Sequence, residues 1–267
     1  MSDDRVRVTV DAQGVAEVAL VRSDKMNALD IAMFDALLAA IERLRREPKL
    51  RAVVLHGEGS AFCAGLDMGL FQGMASRTLG GMLTDIVSRT HGIANVPQQV
   101  AWGWRELPVP VIASVHGVAY GGGLQIALGA DLRCVHPDAK LSAMEIKWGI
   151  VPDMSGCVLL TELTRSDIAR ELIFTGRIVS GREAQQLGLA TRVCDDPLAE
   201  ARVIAQQIGA SNPDAVRAAK RLLNGASPVA AGTVLMAESF EQDRLIGSPN
   251  QVEAVMAAME KRAPVFR

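Results

Sequence analysis

The sequence has little of what marks secreted, metal-binding or membrane-spanning proteins. Its four cysteines, at positions 63, 134, 157 and 194, form no CxxC pair, which argues against a zinc site or a disulfide framework and predicts buried, reduced thiols. The longest apolar run, at about 117–130, is interrupted by glycines and is too short to cross a bilayer. The first five residues lack the basic and apolar regions of a secretory signal, so we expect a cytoplasmic protein.

The chain also lacks a charge imbalance. It carries 28 basic and 30 acidic residues, a formal net charge of −2, and its basic residues are dispersed, which argues against a nucleic-acid surface. Low-complexity tracts are absent from the sequence, and 49% of its 267 residues are hydrophobic. A chain of this size and composition can bury a large core, so we expect an ordinary globular protein.

Hydrophobic periodicity in the first 196 residues predicts strands alternating with helices. Alternating patterns at 5–10 and 15–21 predict a hairpin, residues 31–47 an amphipathic helix closed by Pro48, and residues 51–56 a buried strand. The same order continues with predicted helices at 77–101 and 123–129 and predicted strands at 109–115 and 131–135. Alternation of this kind is typical of an α/β layered fold.

The pattern changes near Asp196, where strand signals stop. Four helices are predicted beyond it, at 199–209, 213–224, 229–245 and 252–261. We therefore expect an α/β core over residues 1–196 and a C-terminal helical region over 197–267, which packs on the core or on a neighbouring subunit and serves oligomerisation.

Two glycine-containing loops each follow a strand-like run. Gly121, Gly122 and Gly123 lie between a strand-like and a helix-like segment, and residues 57–67 open similarly from the strand at 51–56. Glycines let backbone N–H groups approach a ligand, and a following helix directs the positive end of its dipole to the same place. A single loop could be a simple turn, but the pair predicts two sets of amide donors that hold one oxyanion.

Several longer motifs resemble the enoyl-CoA hydratase/isomerase, or crotonase, family. The similar segments occur in order over nearly the whole chain: RSDKMNALD at 22–30, AFCAGLDM at 61–68, HGVAYGGGLQIALGADLR at 116–133, MEIKWGIVPD at 144–153, FTGRIVSGREAQQLGLATRV at 174–193 and EKRAPVF at 260–266. The resemblance implies a crotonase-like spiral of repeated β-β-α turns with a C-terminal helical region. It also implies a homotrimer or homohexamer and an acyl-CoA substrate. Coenzyme A is then part of the substrate, and no separate cofactor or metal is expected.

The resemblance assigns the oxyanion hole to the backbone N–H groups of Leu66 and Gly122. Such donors stabilise the enolate-like oxygen that forms on a thioester more than they stabilise the neutral carbonyl, and losing one typically costs about 3–4 kcal/mol in catalysis. The positions that line coenzyme A in the family correspond to Met26, Ala64, Asp67 and Met68. Lys25, or Lys261 and Arg262, are candidates for its phosphates, and apolar residues within 68–108 are candidates for the acyl pocket.

The acid-base positions decide the reaction that the resemblance implies. Hydratases of this family use two glutamates around a water molecule; one position is occupied here by Gln125 and the other by Glu145. A glutamine can orient a water but cannot take or give a proton at neutral pH. Asp153 lies eight residues after Glu145, where dienoyl-CoA isomerases carry an acid, although these also carry an aspartate at the position of Gln125. The alternatives are that Asp153 caps the following helix, that Glu145 is a cap or surface residue, and that Gln125 is an exposed helix residue.

We therefore expect an acyl-CoA enzyme in which Glu145 is the base and isomerisation of an enoyl-CoA double bond is favoured over hydration. One carboxylate suffices to remove a proton from one carbon and return it to another. The alternatives are hydration, or other enolate chemistry such as dehydration or thioester hydrolysis, with Gln125 orienting the water. A non-enzymatic acyl-CoA-binding subunit is the alternative from another class, and a reactive Cys63 beside its glycine turn is a further possibility.

Overall fold

The computed structural model describes residues 5–75, 85–225 and 231–266, and they form two β-sheets surrounded by helices. The strands are β1 (Val6–Val10), β2 (Val15–Leu20), β3 (Ala52–Gly57), β4 (Val111–Val115), β5 (Val118–Tyr120), β6 (Leu132–Val135), β7 (Lys140–Ser142), β8 (Val179–Ser180) and β9 (Arg192–Val193). The α-helices are α1 (Ile31–Arg45), α2 (Met68–Ala75), α3 (Val96–Glu106), α4 (Gly122–Leu128), α5 (Gly156–Leu163), α6 (Ser166–Thr175), α7 (Gly181–Gln186), α8 (Pro197–Gly209), α9 (Pro213–Gly225), α10 (Ala231–Leu245) and α11 (Pro249–Met259).

The larger sheet has the order β1-β2-β3-β4-β6-β9. The predicted hairpin is confirmed, because β1 pairs antiparallel with β2, and the other strands are parallel. Both faces of the sheet are covered: α1 and α3 belong to the main core on one face, and α8 covers the other. The predicted α/β class is therefore confirmed, and the buried strand β3 reads as a nearly continuous apolar run for this reason.

The glycine triplet directly follows β5, a strand of a second, smaller sheet of order β5-β7-β8. After β4 the chain turns at Gly117, whose φ of +61° suits glycine, and starts β5 in this second sheet. A Cβ on Gly117 would lie 1.9 Å from the carbonyl oxygen of Ser60, so the turn also needs the missing side chain. Two successive strands in two sheets, followed by a helix, give the β-β-α turn that the resemblance implies.

The predicted helix at 77–101 is wrong over residues 85–95 and confirmed over 96–101. Residues 85–95 are irregular, residues 76–84 lie outside the described residues, and α3 begins at Val96. Asn95 is the N-cap, because its side chain accepts a hydrogen bond from Gln98 N at 2.8 Å and the Gln98 side chain accepts one from Asn95 N at 3.0 Å. Pro97 then falls in the first turn, the part of a helix where proline is tolerated.

The four predicted C-terminal helices correspond to α8–α11 over their described residues, and α8–α11 lie against the α/β core of the same chain. Lys220 of α9 is buried, and its ammonium group donates to Asp131 at 2.8 Å and to the carbonyl oxygens of Val109 and Trp104. Helix α10 packs on α5, and α11 packs on α2. A division at residue 196 stays a prediction, as does a role of this region in oligomerisation. Within the described ranges no helix is long and apolar enough to span a membrane.

Candidate active site

The two glycine loops lie side by side along their backbones. Cys63 N donates to Val118 O at 3.0 Å and Tyr120 N donates to Cys63 O at 3.1 Å, so residue 63 pairs with β5 like a short parallel strand. The approach is close enough to require glycine: a Cβ on Gly123 would lie 2.4 Å from Cys63 O, and one on Gly65 would lie 2.5 Å from Tyr120 O. The glycines therefore allow the two loops to pack directly against each other.

The N–H group of Leu66 is free to bind a ligand. Leu29 N donates to Gly65 O at 2.8 Å and Asp67 N donates to Leu29 O at 2.9 Å, so the groups on either side of Leu66 face Leu29. Amides of successive residues in an extended segment point in opposite directions, which turns Leu66 N–H away from this pair. Among the described residues it has no hydrogen-bond acceptor.

The second predicted donor, Gly122, is the first residue of α4, so its N–H group has no intrahelical acceptor. Gly121 reverses the chain before it with φ +51° and ψ −121°, a conformation suited to glycine. The hypothetical Cβ of Gly65 lies 3.7 Å from Gly122 N, which places the two donor loops together. Leu66 and Gly122 therefore lie on adjoining loops at the same cavity, and the dipole of α4 adds positive potential beside Gly122.

All nine residues predicted for the site line one cavity of about 630 Å³. They are Leu66, Gly122, Gln125, Glu145, Asp153, Met26, Ala64, Asp67 and Met68. Much of the remaining wall is apolar and includes Phe71 and Trp148, whose rings stack with centroids 4.3 Å apart. Of the segment predicted to bind the acyl group, Met68, Phe71 and Met74 reach the cavity, whereas its residues 76–84 lie outside the described chain.

Glu145 lies in a short 3₁₀ helix, Met144–Trp148, and its side chain is buried beside Gly121. The interpretation of Glu145 as a surface or capping residue is therefore wrong. Burial raises the pKa of Glu145 to about 7, and the nearby charge of Asp153 acts in the same direction. Oε1 accepts a hydrogen bond from Gln125, while Oε2 has no hydrogen-bond partner among the described residues. A carboxyl with this pKa and a free oxygen is suited to accept and return a proton at neutral pH.

Gln125 is buried too, not an exposed helix residue, and its carboxamide is held in one orientation. Its Oε1 accepts hydrogen bonds from Met154 N at 2.9 Å and Gly156 N at 2.8 Å. Because two backbone donors require an oxygen at that position, the Nε2 group is directed to Glu145, and it donates to Oε1 at 2.5 Å. Gln125 thus aligns Glu145 and favours its ionised form.

Asp153 does not cap α5, so that interpretation is wrong. The N-cap position is Ser155, which has no side-chain capping bond and adopts φ +72°. Asp153 is half-buried and lines the cavity with Glu145, and burial raises the pKa of its carboxyl to about 7. The structure therefore offers a second carboxyl in the same cavity.

The sequence reasoning missed Glu238 of α10. Its buried carboxyl accepts hydrogen bonds from Ser155 N at 3.1 Å and Cys157 N at 3.0 Å, directly beside the amides that hold Gln125. Burial raises the pKa of Glu238 to about 8, opposed by these donors and by Gln98. The sequence feature that points to Glu238 is its spacing from Gln242, because two polar residues one helical turn apart lie on the same face of a helix.

The other predicted residues differ in their surroundings. Asp67 is paired with Arg22 at 2.6 Å, and Lys25 lies at the cavity. In this chain Arg262 is paired with Glu253 instead of facing the cavity, and its role toward phosphates stays a prediction, as does that of Lys261.

The thiol of Cys63 is fully buried, and burial raises its pKa to about 12, which leaves it no reactive thiolate.

Two backbone amides on adjoining loops and a buried carboxyl of raised pKa line the same cavity, an arrangement suited to stabilise an oxyanion and to move a proton. The sequence profile described as enoyl-CoA hydratase/isomerase matches residues 11–267. The chain belongs to this family, the crotonases, and is an acyl-CoA enzyme of that family.

Individual comparisons agree with the family assignment. Mouse mitochondrial methylglutaconyl-CoA hydratase is 30% identical over 276 residues, covering 100% of this chain and 84% of the mouse protein. Human mitochondrial enoyl-CoA hydratase domain-containing protein 2 is 31% identical and covers 95% of this chain and 86% of its own. The crystal structure of an enoyl-CoA hydratase/isomerase from Mycobacterium paratuberculosis aligns with a TM-score of 0.84 at 26% identity, over 95% of this chain and 98% of that one.

The contact between the loops predicts the effect of adding one methyl group. We expect Gly123→Ala to lower kcat/KM at least about tenfold, because the new Cβ forces the loops apart and misaligns the two amides. The matched control is Gly69→Ala on α2, where the nearest atom to an added Cβ is 3.4 Å away. The measurement is the steady-state kcat/KM of the wild type and of both variants on an acyl-CoA that the wild type converts. Equal rates for Gly123→Ala and wild type would show that the loop contact does not set the donor geometry.

The raised pKa of Glu145 predicts the pH dependence of the reaction. The base must be ionised to accept a proton, so kcat/KM falls as the pH drops below about 7, well above the ordinary range of a glutamate. Gln125→Ala removes the donor that favours the ionised form and moves this limb to higher pH. Circular dichroism over the same pH range excludes unfolding as the cause. A limb near pH 4.5 in both proteins is the contrary result.

Proposed function

We propose that the protein isomerises the double bond of an enoyl-CoA by a one-base mechanism, converting a 3-enoyl-CoA to a 2-enoyl-CoA. The observation that carries the proposal is the fixed carboxamide of Gln125. It occupies the position of one hydratase glutamate, its oxygen accepts from two backbone amides, and its amino group donates to Glu145. Of the two positions occupied by Gln125 and Glu145, only Glu145 provides a carboxylate, and one carboxylate is sufficient to transfer a proton between two carbons of the same substrate.

The steps of this reaction use three groups. Glu145 removes a proton from C2 of the 3-enoyl thioester, and the electron pair moves through C1 to the thioester oxygen, giving a dienolate. The amides of Leu66 and Gly122 stabilise the negative oxygen. When the enolate collapses, the protonated Glu145 returns its proton to C4 and the double bond lies between C2 and C3. The reaction is redox-neutral, so it requires no cofactor besides the coenzyme A of the substrate.

Hydration is the second candidate, and Asp153 is the observation that favours it. A hydratase needs a second group that exchanges protons with water, which Gln125 cannot do. Asp153 lines the same cavity and its pKa is raised to about 7, so it could serve as that group opposite Glu145. Relatives named as hydratases at about 30% identity also support this candidate. A subunit that only binds acyl-CoA is disfavoured, because Glu145 keeps the burial and raised pKa of a working base.

We also propose that the chain forms a homo-oligomer, either a trimer or a hexamer. The support is a set of exposed large hydrophobic side chains on its C-terminal helices and tail: Leu222, Leu223, Phe240, Met256, Met259, Val265 and Phe266. Apolar groups in this number are typical of surfaces that meet another subunit.

The direct test incubates the purified protein with a 3-enoyl-CoA and, separately, a 2-enoyl-CoA. We expect formation of the conjugated thioester from the first, seen by its absorbance, and little gain of 18 Da by mass spectrometry from the second. Glu145→Gln should reduce isomerisation by a factor of about 10² to 10⁴, the usual contribution of a positioned acid-base group. Glu241→Gln, the same change at an exposed position on α10, is the control and should keep the wild-type rate.

Fast hydration of the 2-enoyl-CoA with little isomerisation of the 3-enoyl-CoA would reject the isomerase proposal. Asp153→Asn then identifies the second acid, because it would abolish hydration. Under the isomerase proposal the same variant keeps isomerisation, since Glu145 acts alone.

A further inference from the structure

Four successive backbone amides at the start of α5 are shared between two side chains. Gln125 Oε1 accepts from residues 154 and 156, and the carboxyl of Glu238 accepts from residues 155 and 157. The two acceptors alternate along the turn and come from different helices, α4 and α10. The turn that holds Gln125 is therefore also held by Glu238.

A second residue of α10 supports the other end of the same segment. Gln242 lies one helical turn after Glu238, and its Oε1 accepts from Val151 N at 3.1 Å. Residues 151–157, which include Asp153, are thus hydrogen-bonded to α10 at both ends. Both side chains are buried, Glu238 at 5% and Gln242 at 0% exposure, so water does not compete for these bonds.

The turn between these ends has a conformation that needs support. Ser155 adopts φ +72° and ψ 10°, a left-handed conformation that is uncommon for residues other than glycine. Its N–H group donates to Glu238, and its hydroxyl lies 3.4 Å from Gln98 O. Gln98 in turn donates to Leu235 O at 2.6 Å, which fixes α3 against α10. Such a conformation persists when its surroundings over-determine it.

We infer that Glu238 is a positioning residue for the reaction: by holding the amides of Ser155 and Cys157, it fixes the turn that orients Gln125 and, through Gln125, the base Glu145. Asp153 lies on that turn, so its place in the cavity is set by the same bonds. Glu238 thereby contributes to the active site without lining its cavity.

This inference rests on the role of Glu145 as base in the proposed function, but not on which reaction follows. The test therefore measures exchange of deuterium from D₂O into the carbon next to the thioester of hexanoyl-CoA, which requires only the base and the enolate. If the wild type exchanges this proton but neither isomerises nor hydrates an enoyl-CoA, the proposed function fails while the role of Glu238 is still tested.

We expect Glu238→Gln to lower the kcat of exchange about tenfold or more with KM changed less than about twofold. A glutamine offers one oxygen to two N–H donors, so the turn loosens, whereas the loops that bind coenzyme A are untouched; misplacement of a catalytic group by about 1 Å can cost 10²-fold. Glu241→Gln is the matched control, because it makes the same change on the exposed face of α10. It should match the wild type.

A double-mutant cycle separates positioning from a general structural role. If Glu238 acts through Gln125, then adding Glu238→Gln to Gln125→Ala lowers kcat little further, because the pathway is already broken. Thermal unfolding shows whether Glu238→Gln folds; if it does not, Glu238→Asp, which keeps the carboxyl group but withdraws it from the turn, must show the same loss of kcat at constant KM. Wild-type exchange in a folded variant, a rise in KM alone, or fully additive losses in the cycle would overturn the inference.

Discussion

The active site depends on one hydrogen bond, the donation from Gln125 to Glu145. It has this direction because the oxygen of the Gln125 carboxamide accepts from two backbone amides at the start of α5. An amide whose oxygen is fixed can present only its amino group to the neighbouring carboxyl. The bond leaves Oε2 of Glu145 as a buried oxygen without a partner among the described residues.

Burial and hydrogen bonding act on Glu145 in opposite directions, and the balance suits proton transfer. Removal from water raises the pKa of the carboxyl, while hydrogen bonds from the backbone N–H of Glu145 itself and from Gln125 lower it, and the result is about 7. A group with this pKa is partly ionised at neutral pH and returns its proton readily. The two amides that we propose as oxyanion donors lie on separate loops that are joined along their backbones, so the fold holds them in fixed positions relative to one another.

Features encoded by short-range patterns were predictable from the sequence. The hairpin, the α/β alternation and the paired glycine loops follow from periodicity and glycine spacing, and Leu66 and Gly122 followed from the resemblance. The predicted helix at 77–101 was wrong over 85–95, because apolar spacing alone does not reveal the helix start that Asn95 and Pro97 form. The cap assigned to Asp153 was wrong because the carboxyl of Glu238 accepts hydrogen bonds from the nearby amides of Ser155 and Cys157. Glu238 lies 83 and 81 residues further along the chain than these two residues. Partners at such separations leave no local pattern, which is also why the orientation of Gln125 needed the structure.

In our proposal Gln125 aligns Glu145 as the single base and does not hold a water. A crystal structure with a non-reactive acyl-CoA bound would distinguish these two roles of Gln125. We expect the thioester oxygen within about 3 Å of the amide nitrogens of both Leu66 and Gly122, Gln125 still donating to Oε1 of Glu145, and the Glu145 carboxylate facing an acyl carbon. A Gln125 carboxamide that has turned away from the α5 amides to bind a water between itself and Glu145 would contradict this proposal.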